Sequence, residues 1–269
     1  MGFKNLIDMH VHSDNSFDGN DNVMLLCEKA CELGVRAIAF TDHCDVDTLN
    51  CNFRKLNMPA FFEVTKARTA FVGNLVVISG IELGQPVYDK ALSEEIIGAF
   101  DYDFILASVH NLREMEDFFF LDYNKYDVDE LLTKYFSAVL EVAQWNQFDS
   151  LAHLTYPLRY IVGESHIDVD MHRYKEDIMA IYETLIKNEK ALEVNTSGLR
   201  QHYGQCLPNR ELLQLYYDMG GRMITFGSDA HYAADITKGI QEGYQMAYDC
   251  GFRQYTLFER RSPVQIAIE

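Results

Sequence analysis

"NLIDMHVHSDNSFDGNDNVMLLCEKACELGVRAIAFTDH" (Asn5–His43) contains one complete strand–helix–strand unit. The apolar run Leu6 to Val11 ends in a polar turn, and His10 and His12 stand two apart near its end. In a strand, residues i and i+2 point to the same side, so both imidazoles leave one face together, with Asp14 and Asp18 in the turn beyond. The segment "NVMLLCEKACELG" then has helical spacing and closes on Gly34, a C-cap residue. The second apolar run, "RAIAFTDH", again ends in a histidine, His43.

The same alternation runs through the rest of the chain. Five more apolar runs rich in β-branched residues follow: "NLVVISGIEL", "DFILASVHN", "DSLAHL", "ALEVNTSG" and "RMITFGSDAH". Helical spacing separates them, in "MPAFFEVTKARTAFVGN" with Pro59 near its start, in "DVDELLTKYFSAVLEVAQWNQ" with Leu132, Phe136 and Leu140 on one face, in "YKEDIMAIYETLIKNE" and in "PNRELLQLYYDMGG". Continuous apolar strands alternating with helices predict a parallel sheet covered by helices. Seven such units predict a TIM-like (β/α)7 barrel, one unit short of the usual eight, occupying residues 1–269 as a single domain.

Composition narrows the partners. The chain has 23 Lys and Arg against 41 Asp and Glu, a formal charge of −18. Phosphate backbones are bound by clustered Lys and Arg, so nucleic acid is disfavoured, as is an anionic membrane surface. The six cysteines form no C-x-x-C, the N-terminus has no signal-peptide core, and no apolar run reaches the ~20 residues of a membrane span. The expectation is a reduced, cytoplasmic protein.

The last residues of the seven runs decide the chemistry. They are His10 and His12, His43, Glu82, His110, His153, Asn195, and Asp229 with His231. Barrels of this class gather side chains from distant positions at the C-terminal ends of their strands. One strand-end histidine, such as His153 in "LAHL", is most often a core histidine bonded by its neighbours. Six of nine histidines sorted onto equivalent positions are not explained that way. Imidazoles with a few carboxylates and no thiolate suit Zn, Mn or Fe rather than Mg or Ca. With Asp18 there are nine candidate ligands, which implies two or three ions and a bridging carboxylate, for which Glu82 is the natural choice.

H-x-H on the first strand, T-D-H on the second, a lone Glu on the third, S-x-H on the fourth, a lone His on the fifth and S-D-A-H on the last together resemble the PHP (polymerase and histidinol phosphatase) superfamily. Length and the tail "FRQYTLFERRSPVQIAI" are similar to its histidinol-phosphate phosphatases. The resemblance implies a distorted (β/α)7 barrel and three divalent ions: His10, His12, Glu82 and Asp229 on the first, Glu82, His110 and His153 on the second, His43, His231 and Asp18 on the third. Many relatives have His where this chain has Asp18; Asp14 is the alternative ligand.

A metal cluster in a small acidic protein suits hydrolysis of a phosphate monoester, by in-line attack of a metal-bridging hydroxide without a phosphoenzyme. Asp229 and His231 are candidate catalytic residues, and His202 is a candidate acid for the leaving alcohol. Arg159 and Arg200 are candidate phosphate ligands, and Asn195 is placed to face the substrate. In "NLREMEDFFFLDY", Glu114, Glu116 and Asp117 stand with Phe118, Phe119 and Phe120, the carboxylates and aromatic faces that a cationic imidazole-bearing amino alcohol needs, with Glu114 and Phe118 as the candidate contacts. The other reading is an acidic turn followed by hydrophobic packing. Asp42 and Ser108, beside ligands, either orient imidazoles or only shape turns. Identity of the substrate as L-histidinol phosphate rests on the resemblance. Alternatives are a PHP phosphoesterase acting on a nucleotide or oligonucleotide 3′ end or a phosphotyrosine peptide, and a non-catalytic, metal-stabilised interaction domain, which predicts missing ligands.

Overall fold

Seven parallel strand positions form the wall of a nearly closed barrel in the computed structural model, which describes residues 2–46 and 53–269. In chain order they are β1 (Ile7–Val11), β2 (Ala37–Phe40) continued by β3 (His43–Asp45), β4 (Val76–Gly84), β5 (Phe104–Ser108), β6 (Ser150–Leu151), β7 (Ala191–Asn195) and β8 (Ile224–Gly227). The second position is split because β2 pairs with both β1 and β4, whereas β3 pairs with β4 alone, His43 lying opposite Glu82. The seam between β8 and β1 is held by a parallel bridge, Val11 to Ala230. His12 N donates to Ala230 O (2.9 Å) and Asp229 N to His10 O (2.8 Å). The closing bonds therefore fall on the ends of both strands that carry the candidate ligands.

Helices cover the outside: α1 (Val23–Glu32), α2 (Phe53–Ala70), α3 (Lys90–Gly98), α4 (Val128–Trp145), α5 (Lys175–Lys187), α6 (Arg210–Asp218) and α7 (Ile240–Asp249). Val23, Leu26, Cys27 and Ala30 of α1 are buried at helical spacing, so its apolar stripe lies on the sheet. Side chains of Asn22, Asp89, Asp127 and Asn209 cap α1, α3, α4 and α6 by accepting from first-turn amides. Pro59 is not at a helix start: α2 begins at Phe53 and runs through it.

The chain ends in an antiparallel hairpin, β9 (Gln254–Glu259) and β10 (Ser262–Ala267). Phe258 stacks on Phe104 at 5.4 Å, next to the N-terminal end of β5 and away from the strand mouths. Five cysteines are free; Cys51 lies outside the described residues. Among the described residues no helix is long and apolar enough to cross a membrane.

Candidate metal centre and substrate pocket

Seven further side chains named from the strand ends, His10, His12, His43, His110, His153, Asp229 and His231, meet with Asp18 at the mouth of the barrel around Glu82. Its carboxylate is fully buried. Oε2 lies 3.2 Å from His10 Nε2, 3.5 Å from His12 Nε2 and 3.1 Å from His43 Nδ1. Oε1 lies 3.0 Å from His110 Nε2 and 2.9 Å from His153 Nε2. One carboxylate thus touches five imidazoles, a geometry that only the centre of the barrel permits.

Asp229 faces the same nitrogens from the other side, with Oδ1 3.7 Å from His10 Nε2 and 3.5 Å from His12 Nε2. It holds the left-handed conformation (φ 56°), a strain typical of functional positions. Its Oδ2 accepts from Arg159 Nη2 (3.2 Å), Ser197 Oγ (3.2 Å) and Asn195 Nδ2 (3.4 Å), which turns Oδ1 toward the histidines. Asp8 fixes the segment from below, accepting from Ser228 N (2.8 Å) and Thr237 N (2.9 Å).

Asp18 Oδ2 lies 3.0 Å from His231 Nε2 and 3.5 Å from His43 Nε2, and its buried Oδ1 has no partner. The turn that delivers it needs Gly19, since a Cβ there would meet Ser13 O at 1.8 Å. Asp14 is exposed beside the carboxylates of Glu63 and Asp21, away from the histidines.

Two carboxylates that strand-end reading overlooked hold imidazoles from behind. Glu193, on β7, accepts from His10 Nδ1 (2.7 Å) and from His153 N (2.8 Å). Asp45, on β3, accepts from His110 Nδ1 (2.9 Å). Each bond fixes the tautomer and points the opposite Nε2 into the cluster. Asp42 orients no imidazole; it accepts from Ser13 N (2.6 Å) and Ser13 Oγ (2.8 Å) and so anchors the turn after β1. Ser108 Oγ is buried without a partner and orients none either.

The donor set fits divalent cations. His10 Nε2 and His12 Nε2 face each other at 3.0 Å, and His110 Nε2 and His153 Nε2 at 3.4 Å. With Nδ1 of His10 and His110 donating to carboxylates, their Nε2 atoms face those of His12 and His153, an arrangement that suits a cation held between each pair. Ligands at ~2.0–2.1 Å from a tetrahedral ion stand roughly 3.3 Å apart, the spacing seen here.

In the metal-free protein, protons occupy that role. Burial alone would lower the His43 pKa, but the Glu82 and Asp18 carboxylates raise it to about 9. His12 goes the other way, to about 3, through burial and the neighbouring His231 and His43. Ligation requires neutral imidazole, so loading a divalent ion at pH 7 displaces a proton from His43. Apparent affinity is therefore expected to rise with pH, and proton release per ion to decline toward pH 9. Calorimetric titration in two buffers of different ionisation enthalpy measures that release; equal release at pH 7 and pH 9 contradicts it.

Beside the cluster opens a cavity of about 430 Å³, lined by Phe17, Asp18, His43, Asp45, Glu82, His110, Asp117, Phe119, Phe120, His153, Tyr156, Arg159, Tyr160, Gln201, Asp229 and His231. Arg159 opens a π-helical turn (Arg159–Glu164) and lies over the Tyr156 ring at 4.7 Å, its Nε buried without a partner.

The other substrate candidates lie off the cavity wall. Arg200 donates to the carbonyls of Ser228 (2.8 Å) and Asp229 (3.2 Å), bracing the strand end from outside. Asn195 faces Glu193 and Asp229, not the cavity. Phe118 packs against Tyr135, while its neighbours Phe119 and Phe120 line the pocket. Glu114 is exposed, and Asp117 is the carboxylate that reaches the wall. His202 is exposed on the turn, with Gln201 facing inward in its place.

A model of the PHP domain matches residues 8–197, more than half the chain. The chain belongs to the PHP family. Its PHP relatives include a probable histidinol-phosphatase of Thermotoga maritima, 31% identical over 88% of this chain and 89% of that one. A histidinol-phosphatase of Lactococcus lactis is 28% identical over 94% of both chains. The crystal structure of histidinol phosphate phosphatase from Lactococcus lactis, complexed with Zn, L-histidinol and phosphate, superposes with a TM-score of 0.84 at 26% identity, covering 97% of this chain and 99% of that one. A putative histidinol phosphatase from Listeria monocytogenes, 17% identical with a TM-score of 0.76 over 88% of this chain and 99% of that one, shares the fold. The PHP match ends before Asp229 and His231, which the barrel brings to the ligands inside it.

Proposed function

We propose that this chain is a metal-dependent phosphomonoesterase that hydrolyses L-histidinol phosphate to L-histidinol and phosphate. The observation that carries the reading is the convergence of six histidines on Glu82, Asp229 and Asp18, with one arginine beside them. The likeness to the Lactococcus lactis enzyme, which holds Zn, L-histidinol and phosphate, supports the substrate. His10, His12, Glu82 and Asp229 would hold a first ion, Glu82, His110 and His153 a second, and Asp18, His43 and His231 a third, each Zn, Mn or Fe. Bound divalent ions activate water and take up charge on phosphoryl oxygens, the demand that slow monoester hydrolysis makes.

The chain's own residues do the rest. Arg159, with Nε and one edge of the guanidinium beyond its Asp229 contact, binds a phosphate oxygen. Glu193 and Asp45 accept from Nδ1 of His10 and His110, which leaves the Nε2 atoms facing the cluster. A cavity of about 430 Å³ beside the cluster supports a small phosphorylated substrate.

Phosphate release from L-histidinol phosphate, a phosphotyrosine peptide and short oligonucleotides, in Zn, Mn or Fe, tests the proposal. L-Histidinol phosphate should lead by at least about 100-fold in kcat/KM, since a matched polar site discriminates by that much, and a chelator should abolish turnover. Comparable rates on the peptide or oligonucleotide refute the substrate assignment.

The third ion has the most open site. Asp18 is 35% exposed and His231 25%, against 7% or less for Glu82, Asp229 and His10. Asp18→Asn should lower metal content from three equivalents toward two, read by elemental analysis after gel filtration. Full occupancy with unchanged activity refutes Asp18 as a ligand.

A further inference from the structure

His12 stands between two ion sites. Its Nε2 lies 3.0 Å from His10 Nε2 and 3.5 Å from both Glu82 Oε2 and Asp229 Oδ1, the donors of the first ion. Its ring is also stacked between His43 and His231, with centroids 4.3 and 4.2 Å away and planes inclined by 26° and 20°. Ligand atoms of His12, Asp18, His43 and His231 all lie within 4.8 Å of one another, so the same imidazole is within reach of the third ion. Glu193 and Asp45 direct His10 and His110, but among the described residues no carboxylate accepts from His12 Nδ1.

Ser16 takes that place. It is 5% exposed, and its Oγ lies 3.2 Å from His12 Nδ1 and accepts from His43 N at 2.9 Å. The Asp42 carboxylate, beside the same hydroxyl, is the acceptor for its proton. A serine hydroxyl has one hydrogen to give and two lone pairs to offer. With the hydrogen toward Asp42 and one lone pair on His43 N, the other lone pair is left for His12 Nδ1, which then carries the hydrogen. That tautomer frees the lone pair of Nε2, the nitrogen turned toward His10. Ser16 stands two residues before Asp18, so one hydroxyl touches a ligand of the first ion from the turn that completes the third.

We propose that Ser16 is the positioning residue that commits His12 to the first ion, by holding Nδ1 so that Nε2 stays with His10, Glu82 and Asp229. This rests on the ion sites of the phosphomonoesterase reading above. The test measures stepwise Zn affinities of chelator-treated protein, by competition with a chromogenic chelator, in Ser16→Ala, Asp18→Asn and the double variant. Ser16→Ala should weaken one ion by about 10- to 100-fold, the usual cost of removing the group behind a metal-bound histidine. That ion should differ from the one lost in Asp18→Asn, so the double variant should keep a single tight ion. Ser16→Thr, which retains the hydroxyl, should restore affinity to within about threefold. Ser16→Cys, of similar size but a weak acceptor, should show the same defect as the alanine variant and replaces it if that variant does not fold.

A double variant no worse than Asp18→Asn alone overturns the assignment, because Ser16 then only shapes the turn that carries Asp18. A change below threefold for every ion in Ser16→Ala overturns it too, as do equal losses in the alanine and threonine variants. An unsubstituted chain that binds no Zn is a different failure, of the phosphomonoesterase reading itself.

Discussion

Glu82→Gln is expected to lower kcat by more than about 10³-fold, beyond the 10- to 100-fold that outer groups such as Glu193 contribute through the imidazoles they hold. The two oxygens of Glu82 meet five imidazoles, and each oxygen serves a different set: His10, His12 and His43 on Oε2, His110 and His153 on Oε1. An amide keeps the shape and loses the charge, and its NH2 end points a donor at nitrogens that require an acceptor. Two ion sites should weaken together, which metal analysis of the purified variant would show as a loss of more than one equivalent. The metal-free protein should also suffer. Burial would raise the Glu82 pKa, yet the charges of His10, His110 and His43 hold it well below the ordinary carboxylate range, so the carboxylate is the counter-ion of a buried cationic cluster. Removing one partner of such a cluster costs about 3–5 kcal/mol. Denaturant unfolding of chelator-treated protein reads that loss, and a variant as stable and as metal-rich as the parent refutes the bridging role.

The part of this site legible in the sequence is the part that interrupts a pattern. A histidine ending an apolar run is conspicuous, and period-two alternation puts His10 and His12 on one face. The same rule, carried one step further, reaches Glu193, two before Asn195, and Asp45, two after His43; the first is buried and the second half-buried, and both carboxylates face the cluster. They are less visible because each sits inside a run already accounted for as strand. Side chains in 3-10 turns behave otherwise. Successive residues there rotate by roughly 120°, so "FFF" does not reveal which member faces the pocket, and Phe118 faces away while Phe119 and Phe120 face in. Past the 3-10 turn Ser197–Arg200 the backbone is irregular, and there Gln201 lines the pocket while His202 is exposed.

The barrel itself was legible from alternation, but the terminal hairpin was not. Its turn, Arg260 and Arg261, has φ of 48° and 62°, values that Asn and Gly normally supply. Tertiary bonds impose them here. Asp103 accepts from both turn amides, through Oδ1 from Arg260 N (3.0 Å) and through its carbonyl from Arg261 N (2.8 Å). Asp149 Oδ2 accepts from Arg261 Nε at 2.6 Å. No local signal encodes a turn stabilised from strands β5 and β6, some 110 residues and more away. The short helices α3 and α7 went unread because nine or ten residues give few turns of periodicity.

Arg159→Met should reduce kcat/KM by about 10²- to 10³-fold, the usual scale for one preorganised charged donor on a transition state. Arg159→Lys should recover little of it. The guanidinium does two things at once, donating through Nη2 to Asp229 and sitting over the Tyr156 ring, and an ammonium can occupy only one point. Both Arg159 and Asp229 are at least nine-tenths buried, so the pair is weakly screened and salt should not mimic the substitution. Inhibition by inorganic phosphate separates the two roles. If Arg159 binds the phosphoryl group, the inhibition constant for phosphate rises with KM in both variants while metal content holds. If it only steadies Asp229, kcat and metal content fall together and the phosphate constant stays within about twofold. The buried Nε with no partner in the chain favours the first outcome, since an unpaired donor there has a ligand oxygen to meet or costs about 1–3 kcal/mol.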